Sequence, residues 1–280
     1  MKSVVVTGVS TGIGWGIVKI LTAKGVRVFG SVRKPADAER LKAEFGALFE
    51  PLIFDVTDES GALAAAEQVR TVLKGEPLMG LVNNAGVAVA GPLLHLPIAE
   101  FRHQIEVNIT GVVIATQAFT PLLVPGPGRK EAPGRIVNIS SVGGKNGTPF
   151  MAPYNASKFA IEGLSEALRR ELMVLGVDVI IVAPGAVKTA IWGKAQEVDI
   201  SAYEKTAFYP ALVKVRAFMN GAGGLPVERL GQLVAEVLTT AKPKVRYTIS
   251  PEPLQTFITA NLPRRMVDRI FAKRLGLTKA

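Results

Sequence analysis

A phenol and an ammonium stand four residues apart in Tyr154-Asn155-Ala156-Ser157-Lys158, and a hydroxyl, Ser141, lies thirteen residues upstream of the phenol. Positions i and i+4 share one helix face, so on a helix the charge of Lys158 acts on the hydroxyl of Tyr154. A free phenol has a pKa of about 10 and is a poor proton donor or acceptor at neutral pH, whereas a neighbouring cation favours phenolate. A shift of about three units takes roughly 4 kcal/mol of preferential stabilisation, much of which one partly desolvated lysine supplies. Any such pair taken alone is more often a half-buried aromatic beside a solvated cation, so its meaning rests on the rest of the chain.

The pair must first sit on a helix. Ile161, Leu164, Leu168, Leu172 and Leu175 recur at helical spacing, Pro153 suits a first turn and Gly176 a C-cap, which predicts a helix over 154–175 with the pair at its amino-terminal end. At the chain start, the β-branched run Ser3 to Thr7 leads into Thr7-Gly8-Val9-Ser10-Thr11-Gly12-Ile13-Gly14 and a helix from about Gly14 to Lys24. In that order, strand, glycine loop and helix form a diphosphate cradle: glycines permit close backbone approach, and the helix end offers free N–H groups. A second strand, 27–32, ends in Arg33-Lys34, where an NAD-binding chain usually carries an acid for the ribose 2′-hydroxyl. A third ends at Asp55-Val56, followed by an Ala-rich helix over 58–74. A fourth, 80–82, runs into Asn83-Asn84-Ala85-Gly86, and a helix over about 99–122 carries Asn108 and Gly111. The fifth strand, 135–139, delivers Ser140 and Ser141, and the sixth, 178–182, delivers Pro184-Gly185.

Strands alternating with helices predict an α/β fold: a doubly wound parallel sheet in a three-layer α/β/α sandwich, with right-handed crossovers and ligands bound beyond the carboxyl ends of the strands. At 280 residues, 48% hydrophobic and 20% charged, the chain suits a single large domain. It holds no cysteine, which excludes a disulfide framework, a thiol nucleophile and a cysteine-ligated metal. His95 and His103 read as loop or helix-surface residues, so no metal site is expected. Only Met1 and Lys2 precede the first strand, and no apolar run reaches the length of a membrane span, so a soluble cytoplasmic protein is expected. The net charge of +10 is scattered, apart from a denser basic group between Lys242 and Lys279, and fits an anionic cofactor better than nucleic acid.

Two segments stand outside the alternation. Residues 123–134 are Pro/Gly-rich and read as an exposed loop. Residues 190–224, with Trp192, Tyr203, Phe208, Tyr209, Phe218 and Gly221 to Gly224, read as a substrate lid with short helices, whose apolar lining favours a bulky lipophilic substrate. Residues 242–280 read as a C-terminal extension. Its stretch 264–279, with Met266, Ile270, Phe271 and Leu275 at helical spacing, is expected to dock on the body or on a partner subunit rather than on a membrane.

The motifs TGVSTGIG (7–14), Asp55, NNAG (83–86), Asn108, Ser141, YNASK (154–158) and PGAVKT (184–189) occur in an order that resembles the short-chain dehydrogenase/reductase family, single-domain Rossmann-type oxidoreductases, over nearly the whole chain. Through SVR at 31–33 and SVGG at 141–144 it is most similar to the branch holding 17β-hydroxysteroid and retinol dehydrogenases. The resemblance implies that Tyr154 is the general acid for ketone reduction and the base for alcohol oxidation. Lys158 would lower its pKa and hold the nicotinamide ribose, Ser141 would hold the substrate oxygen, and Asn108 would fix a water relaying protons to Lys158. The cofactor would lie along Gly8, Ser10, Thr11, Gly12, Ile13, Gly14, Arg33, Asp55, Val56, Asn84, Ala85 and Gly86, then Tyr154, Lys158, Pro184, Gly185, Val187 and Thr189. Arg33 in place of an acid predicts NADP(H), because a guanidinium binds a phosphate bidentately while a carboxylate would repel it. The family also implies a homodimer or homotetramer packed through the helices bearing Tyr154 and Asn108. The expected reaction is hydride transfer between NADP(H) and a secondary alcohol, ketone or aldehyde; a small polar hydroxy acid or sugar as substrate, or a non-catalytic nucleotide-binding scaffold, are the alternatives.

Overall fold

The computed structural model describes residues 1–189, 199–221 and 223–277, with the backbone only over 218–221. Val4, Val5 and Val6 are all fully buried, because the first strand, β1 (Ser3–Val6), is covered on both faces. Val4 and Val6 point into one hydrophobic core and Val5 into the other, the alternation a strand imposes. Beside β1 run β2 (Arg27–Val32), β3 (Phe49–Ile53), β4 (Gly80–Asn83), β5 (Arg135–Ile139), β6 (Asp178–Pro184) and β7 (Arg246–Ile249). Their order is β3-β2-β1-β4-β5-β6-β7, and every pairing is parallel. The order reverses direction between β1 and β4, which opens a crevice at their carboxyl ends.

One face is covered by α1 (Gly12–Ala23), α2 (Pro35–Phe45) and, after α7 (Tyr209–Gly221), by α8 (Val227–Thr239), through Ile17, Leu21, Leu41, Leu230 and Val234. The other is covered by α3 (Glu59–Leu73), α5 (Gly111–Phe119) and, less deeply, α6 (Ala152–Glu171), through Val69, Leu73, Ala115, Phe119 and Leu168. Asp58 caps α3 by accepting from the Gly61 N–H at 3.0 Å. The chain is one domain.

Four details differ from the sequence expectation. The long helix over 98–122 is continuous but not uniform: α4 (Ile98–Ile105) passes into a π-turn, Glu106–Thr110, before α5. That same run of 25 residues is long and apolar enough, by length and composition, to cross a membrane, which corrects the statement that no segment reaches that length. It is half buried within the domain and holds the buried polar side chains of Gln104 and Asn108. Third, β3 ends at Ile53, two residues before Asp55. Fourth, the segment 242–280 is not an appendage: Arg246–Ile249 completes the sheet beside β6 before α9 (Pro253–Asn261) and α10 (Arg264–Leu275) begin. Trp192 and the Phe218 side chain, two of the aromatics expected to line the lid, lie outside the described residues.

Candidate active site

Strand β5 delivers Ser140 and Ser141 to the carboxyl edge of the sheet, and α6 starts at Ala152 with Tyr154 in its first turn. Pro153 stands in that first turn, where the missing N–H costs nothing. Asn155 fixes the intervening loop from inside the helix: its Nδ2 donates to Gly143 O at 3.0 Å and its Oδ1 accepts from the Thr148 N–H at 2.9 Å. Ser157 Oγ donates to Tyr154 O at 2.7 Å and accepts from Asn108 Nδ2 at 3.0 Å. Asn155 and Ser157, two of the three inner residues of YNASK, are thus fasteners for the outer two, a role their presence in the motif signals although the motif reading assigned them none.

The choice between the two serines is decided by their partners. Ser140 Oγ donates to Glu162 Oε1 at 2.7 Å and is spent there. Ser141 Oγ accepts from the Gly143 N–H at 3.0 Å, donates to Pro184 O only at a long 3.4 Å, and is hydrogen-bonded to the Tyr154 hydroxyl. Two hydroxyls therefore share one point, from which a substrate oxygen can take one hydrogen bond from each.

Lys158 is buried, with Nζ donating to Ile139 O at 2.8 Å and lying 5.7 Å from the Tyr154 ring centroid. Burial lowers its pKa to about 8, against the pull of the Glu162 carboxylate one turn on, which favours the charged form. For Tyr154 the dominant effect is again burial, which raises the phenol above its ordinary value, and the hydrogen bond with Ser141 only partly opposes it. The expected lowering of the phenol by Lys158 is thus corrected: the ammonium is engaged with the Ile139 carbonyl, and desolvation wins. Such a phenol stays protonated at neutral pH and is a proton donor first.

Glu162 went unremarked in the sequence, although its i+4 relation to Lys158 placed it on the same face. It accepts from Arg246 Nε at 2.9 Å, with both side chains largely buried, and so ties β7 to the helix that bears Tyr154. Asn108 sits in the π-turn, a feature common at functional sites. Its Oδ1 accepts from the Val87 N–H at 2.9 Å and its Nδ2 donates to Val87 O at 3.1 Å, so its side chain braces the loop after β4 against α6.

The glycine loop is packed too closely against its neighbours for side chains at two of its positions. Gly8 has φ of +69°, and a Cβ there would stand 2.7 Å from Ala85 Cα; one on Gly14 would stand 2.2 Å from Gly8 O and 2.6 Å from Asn84 Nδ2. Asn84 Nδ2 donates to Thr7 O and Gly8 O, both at 2.9 Å, while Thr7 Oγ1 accepts from the Asn84 and Ala85 N–H groups at 3.0 Å. Thr7 is a second fastener that the motif reading passed over. Thr11, the N-cap of α1, makes no side-chain cap bond, which leaves the first-turn N–H groups facing the cradle, and Thr189 lies against Gly12. Ile13 follows in that turn, Val56 packs against Gly111, Gly86 leaves room for Asn108, Val187 bridges to Leu225, and Gly185 meets Ser250 after Pro184.

At the far end of β2, Arg33 Nη1 lies 3.7 Å from Asp55 Oδ2, both exposed. Asp55 Oδ1 is held by the Thr57 N–H and hydroxyl. Arg40, unassigned by the sequence reading, donates to Ser10 O at 2.6 Å beside the same loop. On the opposite flank, His95, Phe150, Tyr203 and Phe208 meet in a ring cluster: His95 to Tyr203 at 6.5 Å and to Phe208 at 5.7 Å, and Phe208 to Phe150 at 6.2 Å between centroids. Phe150 has φ of +65°, and its carbonyl accepts from the Gly91 N–H at 2.8 Å. A bulky residue held in the left-handed region there shapes the wall of the crevice four residues before Tyr154.

Comparison with known proteins agrees with this geometry. A family model for short chain dehydrogenases matches residues 2–199. The chain is 41% identical over 280 residues to an NADPH-dependent 3-dehydrocapnine reductase of Ornithobacterium rhinotracheale, covering 98% of each. It is 30% identical over 286 residues to a 17-beta-hydroxysteroid dehydrogenase type 6 of Bos taurus, covering 97% of this chain and 88% of that one. Among solved structures, a short-chain dehydrogenase from Streptomyces avermitilis superposes with a TM-score of 0.77 at 28% identity, covering 99% of this chain and 97% of that one.

Proposed function

This chain belongs to the short-chain dehydrogenase/reductase family and is an oxidoreductase, and from that premise we propose that it uses NADP(H) to interconvert a lipophilic ketone or aldehyde with its alcohol. One observation carries the reading: the hydroxyls of Ser141 and Tyr154 meet beside buried Lys158, in a fold whose glycine loop has no room for a Cβ at Gly8 or Gly14. When bound, the dinucleotide supplies the hydride, and the protein supplies everything else. Gly8 to Gly14 and the first turn of α1 hold the diphosphate, Asn84 holds the loop in shape, and Thr189 closes over Gly12. Ser141 and Tyr154 donate to the substrate oxygen, where negative charge develops, and Tyr154 gives up its proton. Its elevated pKa suits the reductive direction.

Two specificity features support the finer reading. The end of β2 presents Arg33 where an acid would select NAD, with Arg40 at Ser10, and the relative from Ornithobacterium rhinotracheale bears NADPH in its name. The rings of Phe150, Tyr203 and Phe208 on the substrate flank favour an apolar body with one oriented polar group. Exposed Phe159, Met173 and Val174 on and just after α6 supply an apolar face for a homo-oligomer. The test is NADPH consumption across a panel of steroid-like and retinoid-like ketones, aldehydes and short keto acids. Turnover of the bulky carbonyls supports the proposal; cofactor binding without consumption of any would identify a scaffold instead.

A further inference from the structure

We propose that α9 and α10 form a peripheral docking surface for an anionic lipid bilayer. The helices are nine and twelve residues long, far short of the roughly 20 that a spanning helix needs, so the attachment is to the headgroup layer only. On α9 no residue is buried, and Leu254 and Phe257, 71% and 67% exposed, stand with Ile258 at helical spacing on one side. Helix α10 does dock on the body, as expected, through Val267 and Leu275, and Arg264 ties its start to Lys145 O and Asn146 Oδ1. That docking still leaves Met266 and Ile270, 47% and 46% exposed, without cover.

Charge decides what covers them. Arg264, Arg265, Arg269, Lys273 and Arg274 face a single acid, Asp268, across both helices. Arg265, Arg269 and Lys273 follow one another at i+4 and form a basic stripe alongside the apolar stripe of Met266 and Ile270. A second copy of this chain would bring that basic stripe against its own image, and like charges repel. The exposed residues Met173 and Val174 differ in this respect, because Glu166 and Glu171 accompany Arg169 and Arg170 there, and a self-complementary contact is open to them. An apolar stripe flanked by bases, on short helices, matches the boundary between acyl chains and anionic headgroups, with the long basic side chains reaching to the phosphates. The surface also lies at the carboxyl end of β7, where Arg264 holds the loop that follows Ser141, so a lipophilic substrate in the bilayer would reach the crevice directly.

The experiment is co-sedimentation of the full chain with vesicles of phosphatidylcholine, alone or mixed with phosphatidylglycerol, at rising salt. The proposal expects binding to the mixed vesicles only, weakened by salt. R265E/R269E/K273E should lower the bound fraction about tenfold, and Phe257→Ser severalfold, with turnover of a water-soluble carbonyl unchanged in both. K2E/K24E/K130E, which reverses the same number of charges at the opposite end of the strands, should leave binding intact. No binding to anionic vesicles would overturn the proposal, as would an equal loss in the two triple variants, which would mean diffuse charge alone. It would equally be overturned by an oligomer in light scattering that Phe257→Ser dissolves while vesicle binding persists.

Discussion

The two flanks of the crevice are built by opposite means. On the cofactor flank, the Thr7 and Asn84 side chains lock the backbone of residues 7, 8, 84 and 85 through hydrogen bonds near 3 Å, and Gly8 and Gly14 leave no room for a methyl group. On the flank proposed to take the substrate, His95, Phe150, Tyr203 and Phe208 meet through rings at 5.7 to 6.5 Å, on loops and short turns. Backbone recognition of a diphosphate admits one solution, whereas ring packing admits many. On the proposed reading, the first flank serves the cofactor and the second selects the substrate.

Gly14→Ala should show the largest effect in that comparison. Its methyl group would press on Gly8 O and Asn84, and overpacking of this kind costs about 2 kcal/mol. An NADPH titration should then show the dissociation constant raised at least about thirtyfold. Unchanged affinity would mean that the loop is as forgiving as the ring cluster. Next in size is Arg33→Ala. The Arg33–Asp55 pair is exposed and contributes little to folding, so the guanidinium is free to serve a 2′-phosphate. The variant should lose most of an NADPH-over-NADH preference of about tenfold in kcat/KM, or about 1.4 kcal/mol, with NADH kinetics unaltered. Equal use of both cofactors by the wild type would show that the end of β2 does not discriminate. On the other flank, Phe208→Ala should raise KM for a bulky ketone roughly fivefold without changing NADPH affinity, the mirror image of Gly14→Ala.

The mildest test is pH. Burial lowers Lys158 to about 8 from an ordinary 10.5, so its charge is lost in the folded protein above that value while the unfolded chain still carries it. The kcat/KM for reduction, which reports the free enzyme, should be level below an apparent pKa near 8 and decline above it. Unfolding does not account for this decline. The penalty of burying the ammonium is present in full below pH 8 and is relieved as pH rises toward 10.5, so this group adds stability across that window. A profile flat through pH 9 would remove Lys158 from the proton inventory.

What the sequence disclosed follows the same division. The glycine loop, the NNAG turn, Asn108, Ser141 and the Tyr154–Lys158 pair were legible because each demands a particular residue type at a fixed distance along the chain. Strands β2 and β5 fell on the predicted residues because their apolar runs are bounded by turns. Strand β7 escaped because Arg246-Tyr247-Thr248-Ile249 is only partly buried at the sheet edge, and its sequence carries no strong pattern. The π-turn at Asn108 escaped because one extra residue per turn leaves the apolar periodicity of a long helix almost unaltered. The direction of the Tyr154 shift was out of reach for a different reason: spacing gives the neighbour, but not where its charge is spent. Only the fold shows the Lys158 ammonium on Ile139 O rather than on the phenol.

The central claim is that a half-buried, protonated Tyr154 delivers the proton while the cofactor flank works independently of it. Tyr154→Phe keeps the ring and removes that proton, so NADPH titration and steady-state ketone reduction on this one variant separate the two functions. NADPH affinity within about twofold of wild type, with kcat lowered by at least about a hundredfold, is the result the account predicts. A near-normal kcat would contradict it.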